Sequence, residues 1–211
     1  MLDPCVEDNI EKLNAQIRIC TRCRLSRTRR NAVPGEGATS LKVLFVGEGP
    51  GRNEDLEGRP FVGRAGIIFD ELLASINLDR RFVYITNIVK CRPTTASVDK
   101  IDESKMLIAR DRKPQEDEID ACAAYLTRQI EILKPKVICA LGDTASSSIL
   151  RRYGLKPSLI STIHGRACSV ASLKIVTMYH PAAALYTATL KEIMKSDFKI
   201  LAGLLRQSTL I

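Results

Sequence analysis

The chain has 211 residues, 45% of them hydrophobic and 27% charged, so one domain with a substantial buried core is expected. No apolar run approaches the roughly 18 residues that a membrane span needs, and the acidic, polar start MLDPCVEDNIEK does not read as a signal peptide, so a protein of the reducing cell interior is expected. A net charge of +8 favours a polyanionic partner, nucleic acid before membrane, and seven cysteines in such a compartment point to metal binding or burial rather than disulfides.

Residues 6–19 carry Val6, Ile10, Leu13 and Ile17 at helical spacing, with acids early and Arg18 late, as the helix dipole favours. The helix runs into Cys20-Thr-Arg-Cys23. Arg22, Arg24, Arg27, Arg29 and Arg30 then fall within nine residues that contain no acid. Residues 31–40 read as a loop.

The stretch 41–61, LKVLFVGEGPGRNEDLEGRPF, organises the rest. Leu41, Val43, Leu44, Phe45 and Val46 run nearly continuously apolar, as a strand covered on both faces does. The stretch then breaks into Gly47, Gly49, Pro50 and Gly51, and gathers Glu48, Glu54, Asp55 and Glu57 at the strand's carboxyl end. In open α/β sheets that end is where ligands bind.

Helical period returns over residues 63–78. The β-branched and aromatic segment RFVYITNIV, residues 81–89, predicts a second strand that carries Asn87 and leads to Cys91-Arg92-Pro93. Residues 94–113 read as an exposed insertion. A helix is expected over 114–133, opened by Pro114 and three acids, and KVICAL, residues 136–141, is a third strand. Gly142-Asp143-Thr144 caps the next helix. Residues 173–178 form a fourth strand ending in Tyr179-His180-Pro181, and an amphipathic helix over about 190–205 closes the chain. The alternation predicts an α/β fold: a three-layer αβα sandwich around a central four-stranded parallel sheet, one domain spanning 1–211.

Parallel strands would bring three loops to one sheet edge: 48–61, 87–93 and 180–185. The glycine loop has Arg52 where the dinucleotide pattern needs its third glycine, and it lacks the Gly-Lys-Ser/Thr of a P-loop. Its carboxylates would also repel a pyrophosphate, so a nucleotide cofactor is not expected. Asn87 is either a strand-end turn residue or a carboxamide that offers donor and acceptor side by side. The second role matches the edge of an amide-like base such as uracil. His164 reads as structural. His180 follows a strand and precedes Pro181, a position that holds an imidazole neutral and lets it donate to a forming oxyanion. Cys139 lies within a strand as a small hydrophobe, and Cys5 and Cys168 have no partner at ligand spacing. Cys20, Cys23, Cys91 and Cys122 form a four-thiolate set suited to tetrahedral zinc or to an iron–sulfur cluster.

CTRC, VGEGPGRNEDLEGRPFVGRAG, YITNIVKCRP, Cys122 and HPAAAL, in this order, resemble the family 4 uracil-DNA glycosylases, the thermophile-type iron–sulfur members of that superfamily. The likeness runs from Cys20 to about residue 205. It implies a [4Fe–4S] cluster on Cys20, Cys23, Cys91 and Cys122. It also implies a uracil pocket in which Gly49 and Glu54 line the wall, Phe61 stacks on the base, Asn87 reads its edge and His180 faces O2. Glu48, Asn87 and His180 would be catalytic. Arg22, Arg24, Arg27, Arg29, Arg30, Lys90 and Arg92 would contact DNA phosphates.

Two features depart from the pattern. The stretch between Cys91 and Cys122 is longer than usual. The water-activating Asp and thymine-excluding Tyr of the classical members are absent from the positions resembling Gly49 and the neighbourhood of Gly51. The implied activity is hydrolysis of the N-glycosidic bond of a uracil flipped out of single- or double-stranded DNA, initiating base excision repair. A cytoplasmic, nucleoid-associated monomer would perform it, with a sliding clamp as a further candidate partner. The alternative is a non-catalytic or redox iron–sulfur protein that binds nucleic acid through its arginines. It accounts for the cysteines and the charge but gives Glu48, Asn87 and His180 no task.

Overall fold

The computed structural model describes residues 4–38, 42–95 and 109–207. Its centre is a six-stranded sheet in the order β1-β3-β2-β4-β6-β5. The four inner strands are β2 (Val43–Gly47), β3 (Tyr84–Asn87), β4 (Val137–Leu141) and β6 (Leu173–Met178), paired in parallel. These are the strands expected from sequence, and β2, β3 and β4 are buried along their whole length. The sheet is wider than expected. β1 (Glu36–Gly37) adds antiparallel to β3, and β5 (Ala167–Val170) adds antiparallel to β6. Both are short edge strands with partly exposed side chains, so no hydrophobic run marks them.

Successive residues of a strand face opposite sides of its sheet, and the core divides accordingly. Leu44, Val46, Ile138 and Ala140 face α1 (Pro4–Arg18), α4 (Glu116–Leu133) and α5 (Asp143–Arg152), meeting Ile10, Leu13, Ile17, Leu126, Leu133 and Ile149. Val43, Phe45, Val137 and Cys139 face α3 (Arg64–Ala74) and α7 (Ala188–Gln207), where Phe69, Leu72, Phe198 and Leu201 close the second core. Phe45 packs edge-on to Phe69 at 5.0 Å between ring centres and parallel to Phe198 at 6.0 Å. Two short helices fell outside the sequence expectation: α2 (Arg52–Glu57), within the glycine loop, and α6 (Ile160–Ile163).

The ends of the expected insertion are joined. Thr94 pairs with Asp111, Thr95 N–H donates to the Arg110 carbonyl at 3.0 Å, and Arg112 N–H donates to the Pro93 carbonyl at 3.1 Å. The remainder, 96–108, lies outside the described residues. Among the described residues no helix is long and apolar enough to cross a membrane.

From β2 the chain turns one way to β3, then returns to the other side of β2 to form β4. Reversal of strand order opens a crevice at the carboxyl ends of the strands. Glu48, Asn87, Gly142 and His180 all stand at that edge, because β2 and β3 pair in register up to Gly47 and Asn87, and β4 and β6 up to Leu141 and Met178.

Candidate active site

A cleft of about 690 Å3 opens at this edge, lined among others by Glu48, Gly49, Glu54, Phe61, Asn87 and His180. All six residues assigned from sequence to catalysis or uracil binding therefore meet in one place.

Asn87 is 1% exposed, and its side-chain Oδ1 has no hydrogen-bond partner among the described residues. Buried polar atoms are nearly always paired, so an orphaned acceptor at a cleft needs an explanation. Gly47 lies opposite it in the β2–β3 pair; a Cβ there would collide with Asn87 Oδ1 and come within 2.9 Å of Phe61 Cζ. The glycine keeps space clear around the amide.

His180 caps the 3-10 turn Pro181–Leu185, and the Ala182 N–H donates to its Nδ1 at 3.2 Å. Because a backbone N–H can only donate, Nδ1 is an acceptor and the neutral ring carries its proton on Nε2. The ring is half-buried, open to the cleft and otherwise enclosed by protein, and this burial lowers its pKa to about 4. At neutral pH it is an uncharged Nε2–H donor. Gly142, with φ of +87°, brings the end of β4 against it; a side chain there would sit 3.1 Å from His180 Cβ.

Phe61 is 4% exposed and lies 5.5 Å from the His180 ring at 29° to it. Its backbone is in the left-handed region, φ +52°, which a bulky residue adopts only under constraint. The constraints are visible. Arg80 donates to the Phe61 and Pro60 carbonyls at 3.1 and 2.8 Å, while Glu36 and Asp70 hold its guanidinium. Gly66 packs directly on the Phe61 carbonyl, leaving no room for a Cβ. Arg80 was not singled out from sequence, since its partners lie 10 to 44 residues away.

The acids of the glycine loop divide their tasks. Glu48 accepts from Thr144 Oγ1 at 2.5 Å, across the crevice between β2 and β4. Glu54 Oε1 accepts the N–H groups of Val62 and Gly63, each at 2.9 Å, and so braces the loop that presents Phe61. Asp55 turns away from the cleft to accept the N–H groups of Arg30 and Asn31.

The four cysteines expected as ligands also converge. Cys20 and Cys23 follow α1, Cys91 follows β3, and Cys122 lies on α4; together with Ile17, Arg22, Arg29, Lys90 and Tyr125 they line one cavity. Arg29 donates to Cys91 Sγ at 3.1 Å, and the Arg22 N–H to Cys20 Sγ at 3.5 Å. Burial pushes the Cys91 thiol up to about 12 and raises those of Cys23 and Cys122. Among the described residues no three Cys, His, Asp or Glu side chains are grouped to ligate a single metal ion. Cys139 is fully buried in β4 and Cys168 half-buried on β5, both away from this cavity.

The expected phosphate contacts need correction at two positions. Lys90 is 1% exposed, and its ammonium is bonded wholly inside the protein; burial lowers its pKa to about 8. Arg92 is 5% exposed and donates to Asp111 at 2.6 Å and to the Ala109 carbonyl at 2.7 Å. Neither can meet a DNA backbone. Sequence proximity to the arginine cluster suggested otherwise, but the turn after β3 points both side chains inward. Within the cluster, Arg24 is engaged by Glu118, Asp117 and Gln115, and Arg29 by Cys91 and the Arg18 carbonyl. Arg22 lies over the Tyr125 ring at 4.8 Å and remains exposed, as do Arg27 and Arg30. The cleft itself is rimmed by Arg52, Arg64 and Lys113, exposed cations that the sequence reading passed over.

Glu118 joins the two regions. Burial alone would raise its pKa, but hydrogen bonds from Arg112 (2.6 and 2.8 Å), the Gln115 N–H (2.9 Å) and Arg24 (2.7 Å) outweigh that and bring it from 4.5 to about 2. A depressed carboxylate stabilises the fold fully above pH 4.5, and the contribution disappears as pH falls through about 2. In thermal unfolding, Glu118→Gln should melt below the native protein at neutral pH, with the gap closing as the buffer is taken down to about pH 2. A gap unchanged by pH would show that Glu118 acts through packing alone.

A family model described as the Uracil DNA glycosylase superfamily matches residues 34–201. The chain belongs to that superfamily. Type-4 uracil-DNA glycosylases are its relatives over most of its length. That of Saccharolobus solfataricus is 40% identical over 91% of this chain and 84% of its own. That of Archaeoglobus fulgidus is 40% identical over 91% of each chain, and that of Thermotoga maritima 40% identical over 83% of each. The αβα sheet and the cleft at its switch point are thus those of a uracil-DNA glycosylase superfamily member, and the recognised stretch begins after Cys20 and Cys23.

Proposed function

We propose that this protein removes uracil from DNA by hydrolysing its N-glycosidic bond, leaving an abasic site that starts base excision repair. The observation that carries this reading is the orphaned, buried Asn87 Oδ1 in the same cleft as the neutral His180. A base within a duplex is out of reach, so the nucleotide must first turn out into the cleft. Phe61 then offers a stacking face worth about 1–3 kcal/mol. Asn87 Oδ1 accepts from uracil N3–H while its amide donates to O4; cytosine, with a bare N3 and an amino group, opposes both.

As the C1′–N1 bond breaks, its electron pair passes to the uracil ring, and charge gathers on O2. His180 Nε2–H donates to that oxygen. Water adds to C1′ and loses a proton, which Glu48, oriented by Thr144, is positioned to accept at the sheet edge. Arg52, Arg64 and Lys113 on the cleft rim, with Arg22, Arg27 and Arg30, are the cations available to phosphates, and binding should weaken steeply with salt. We assign the work to a monomer acting on DNA in the cytoplasm.

Cys20, Cys23, Cys91 and Cys122 fit a [4Fe–4S] cluster. The four cysteines line a shared cavity, and Arg29 and the Arg22 N–H donate to sulfur, as suits an anionic sulfur-rich group. When bound, such a cluster ties the end of α1, the turn after β3 and α4 together. Incubation with a uracil-containing oligonucleotide followed by alkaline cleavage should reveal strand breaks at uracil and none at cytosine. The purified protein should be brown, with iron and acid-labile sulfide. Absence of uracil-dependent breaks would favour the non-catalytic reading, and a colourless, fully active zinc protein would overturn the cluster.

A further inference from the structure

Lys90 forms no ion pair with a carboxylate among the described residues, although its side chain is among the largest fully buried ones in the chain. Its ammonium has three N–H donors, and three acceptors converge on them: Thr86 Oγ1 at 2.6 Å, the Asn87 carbonyl at 2.7 Å and Gln129 Oε1 at 2.7 Å. Those acceptors are held in turn. Thr86 Oγ1 and Gln129 Nε2 both donate to the Pro34 carbonyl, at 2.7 and 2.8 Å, and the Lys90 carbonyl accepts from the Val33 N–H at 2.7 Å. One cation thereby joins the last two residues of β3, helix α4 and the segment before β1. Every member of the network has a partner, the condition under which buried polar groups rigidify a site.

The same network ends at the residue that needs orientation. Asn87 gives its backbone carbonyl to Lys90 and leaves its side-chain Oδ1 unpartnered. An amide turned by half a rotation would present its NH2 where the oxygen should be, and would then suit cytosine in place of uracil. Lys90 holds the Asn87 carbonyl at 2.7 Å and is itself held by Thr86 and Gln129, which fixes the backbone from which the Asn87 amide reaches the cleft.

We propose that Lys90 is the positioning residue of Asn87: its ammonium locks the Asn87 backbone at the end of β3 so that the amide is held at the edge of the uracil. This rests on the reading of Asn87 as the uracil-contacting group. Replacing Lys90 by methionine keeps most of the volume and takes the ammonium donor from three buried acceptors.

The test is a double-mutant cycle on the iron-containing protein: Lys90→Met, Asn87→Ala and the pair, each measured for single-turnover uracil excision, DNA dissociation constant and iron content. Lys90→Met should slow excision by about tenfold with unchanged DNA affinity and iron, and should cost nothing further in the Asn87→Ala background. Losses that multiply in the pair, or affinity that falls with the rate, would overturn the proposal and leave Lys90 a general structural residue. Native rates in Lys90→Met alone also overturn it, while leaving the reading of Asn87 intact. Native rates in Asn87→Ala overturn that reading and the proposal together. If Lys90→Met yields no soluble protein, Thr86→Val, which removes one of the three acceptors while keeping shape, replaces it in the same cycle under the same criteria.

Discussion

Replacing His180 with alanine should lower single-turnover uracil excision by more than about tenfold, and by the scale of a single oxyanion donor the loss can reach about a thousandfold. The expectation follows from the tautomer. The Ala182 N–H occupies Nδ1, so the one proton of the neutral ring points from Nε2 toward the cleft. Alanine removes that donor and also leaves the Ala182 N–H without its acceptor, so glutamine is the informative companion: it restores a donor without the ring. Affinity for uracil-containing DNA should change little in either variant, since the charge that His180 stabilises forms only as the bond breaks. Near-native rates in both would remove His180 from the mechanism.

The pH behaviour has a definite sign. Burial lowers the His180 pKa from 6.5 to about 4, so the folded state prefers the neutral ring. Its contribution to stability is complete above pH 6.5 and is lost progressively as the pH falls to about 4. Excision measured from pH 8 down to 5 should show no step assignable to this histidine. A step near pH 6.5 that vanishes in His180→Gln would mean that the ring titrates as though exposed.

Asn87→Ala should also slow excision by about tenfold or more, here because an acceptor is missing from the base's edge. The substitution creates no unpaired group, since Oδ1 lacks a partner already; it opens space beside Gly47 and Phe61 instead. Protein stability should therefore hold while the chemical step suffers. DNA affinity, which rests on the phosphate contacts, should stay within about twofold. An equal fall in rate and affinity would point to a strand-end role for Asn87 and would remove the base-reading assignment.

What could be read in advance follows from where each signal resides. β2, β3, β4 and β6 are marked by runs that must be apolar because both faces are covered. β1 and β5 carry no such mark: Glu36–Gly37 is two residues long, and Ala167–Val170 is an edge strand with partly exposed side chains. Asn87 and His180 were legible because each ends a strand with a polar side chain, and parallel order carries such ends to one edge. Lys90 was misread for the opposite reason. Its burial depends on Gln129, 39 residues on, and on Pro34, whose carbonyl ties the network together; nothing beside Lys90 in sequence announces either. Arg80 is similar, a basic residue in a polar stretch whose partners are two backbone carbonyls and two distant acids. Local pattern reveals elements and their ends, whereas the groups that hold those ends rigid are assembled from distant parts of the chain.

The cysteine cavity has a consequence for synthesis. Its first two thiols stand at the end of α1 and its last on α4, about a hundred residues later. At about 5–20 residues per second, Cys20 and Cys23 wait roughly 5–20 s for the helix that completes their surroundings. Until then α1 has no α4 to pack against, although the turn after β3 is made before it. A helix made before every other described helix is therefore among the last to be fastened. Order of manufacture and order of assembly run in opposite directions at this corner of the molecule.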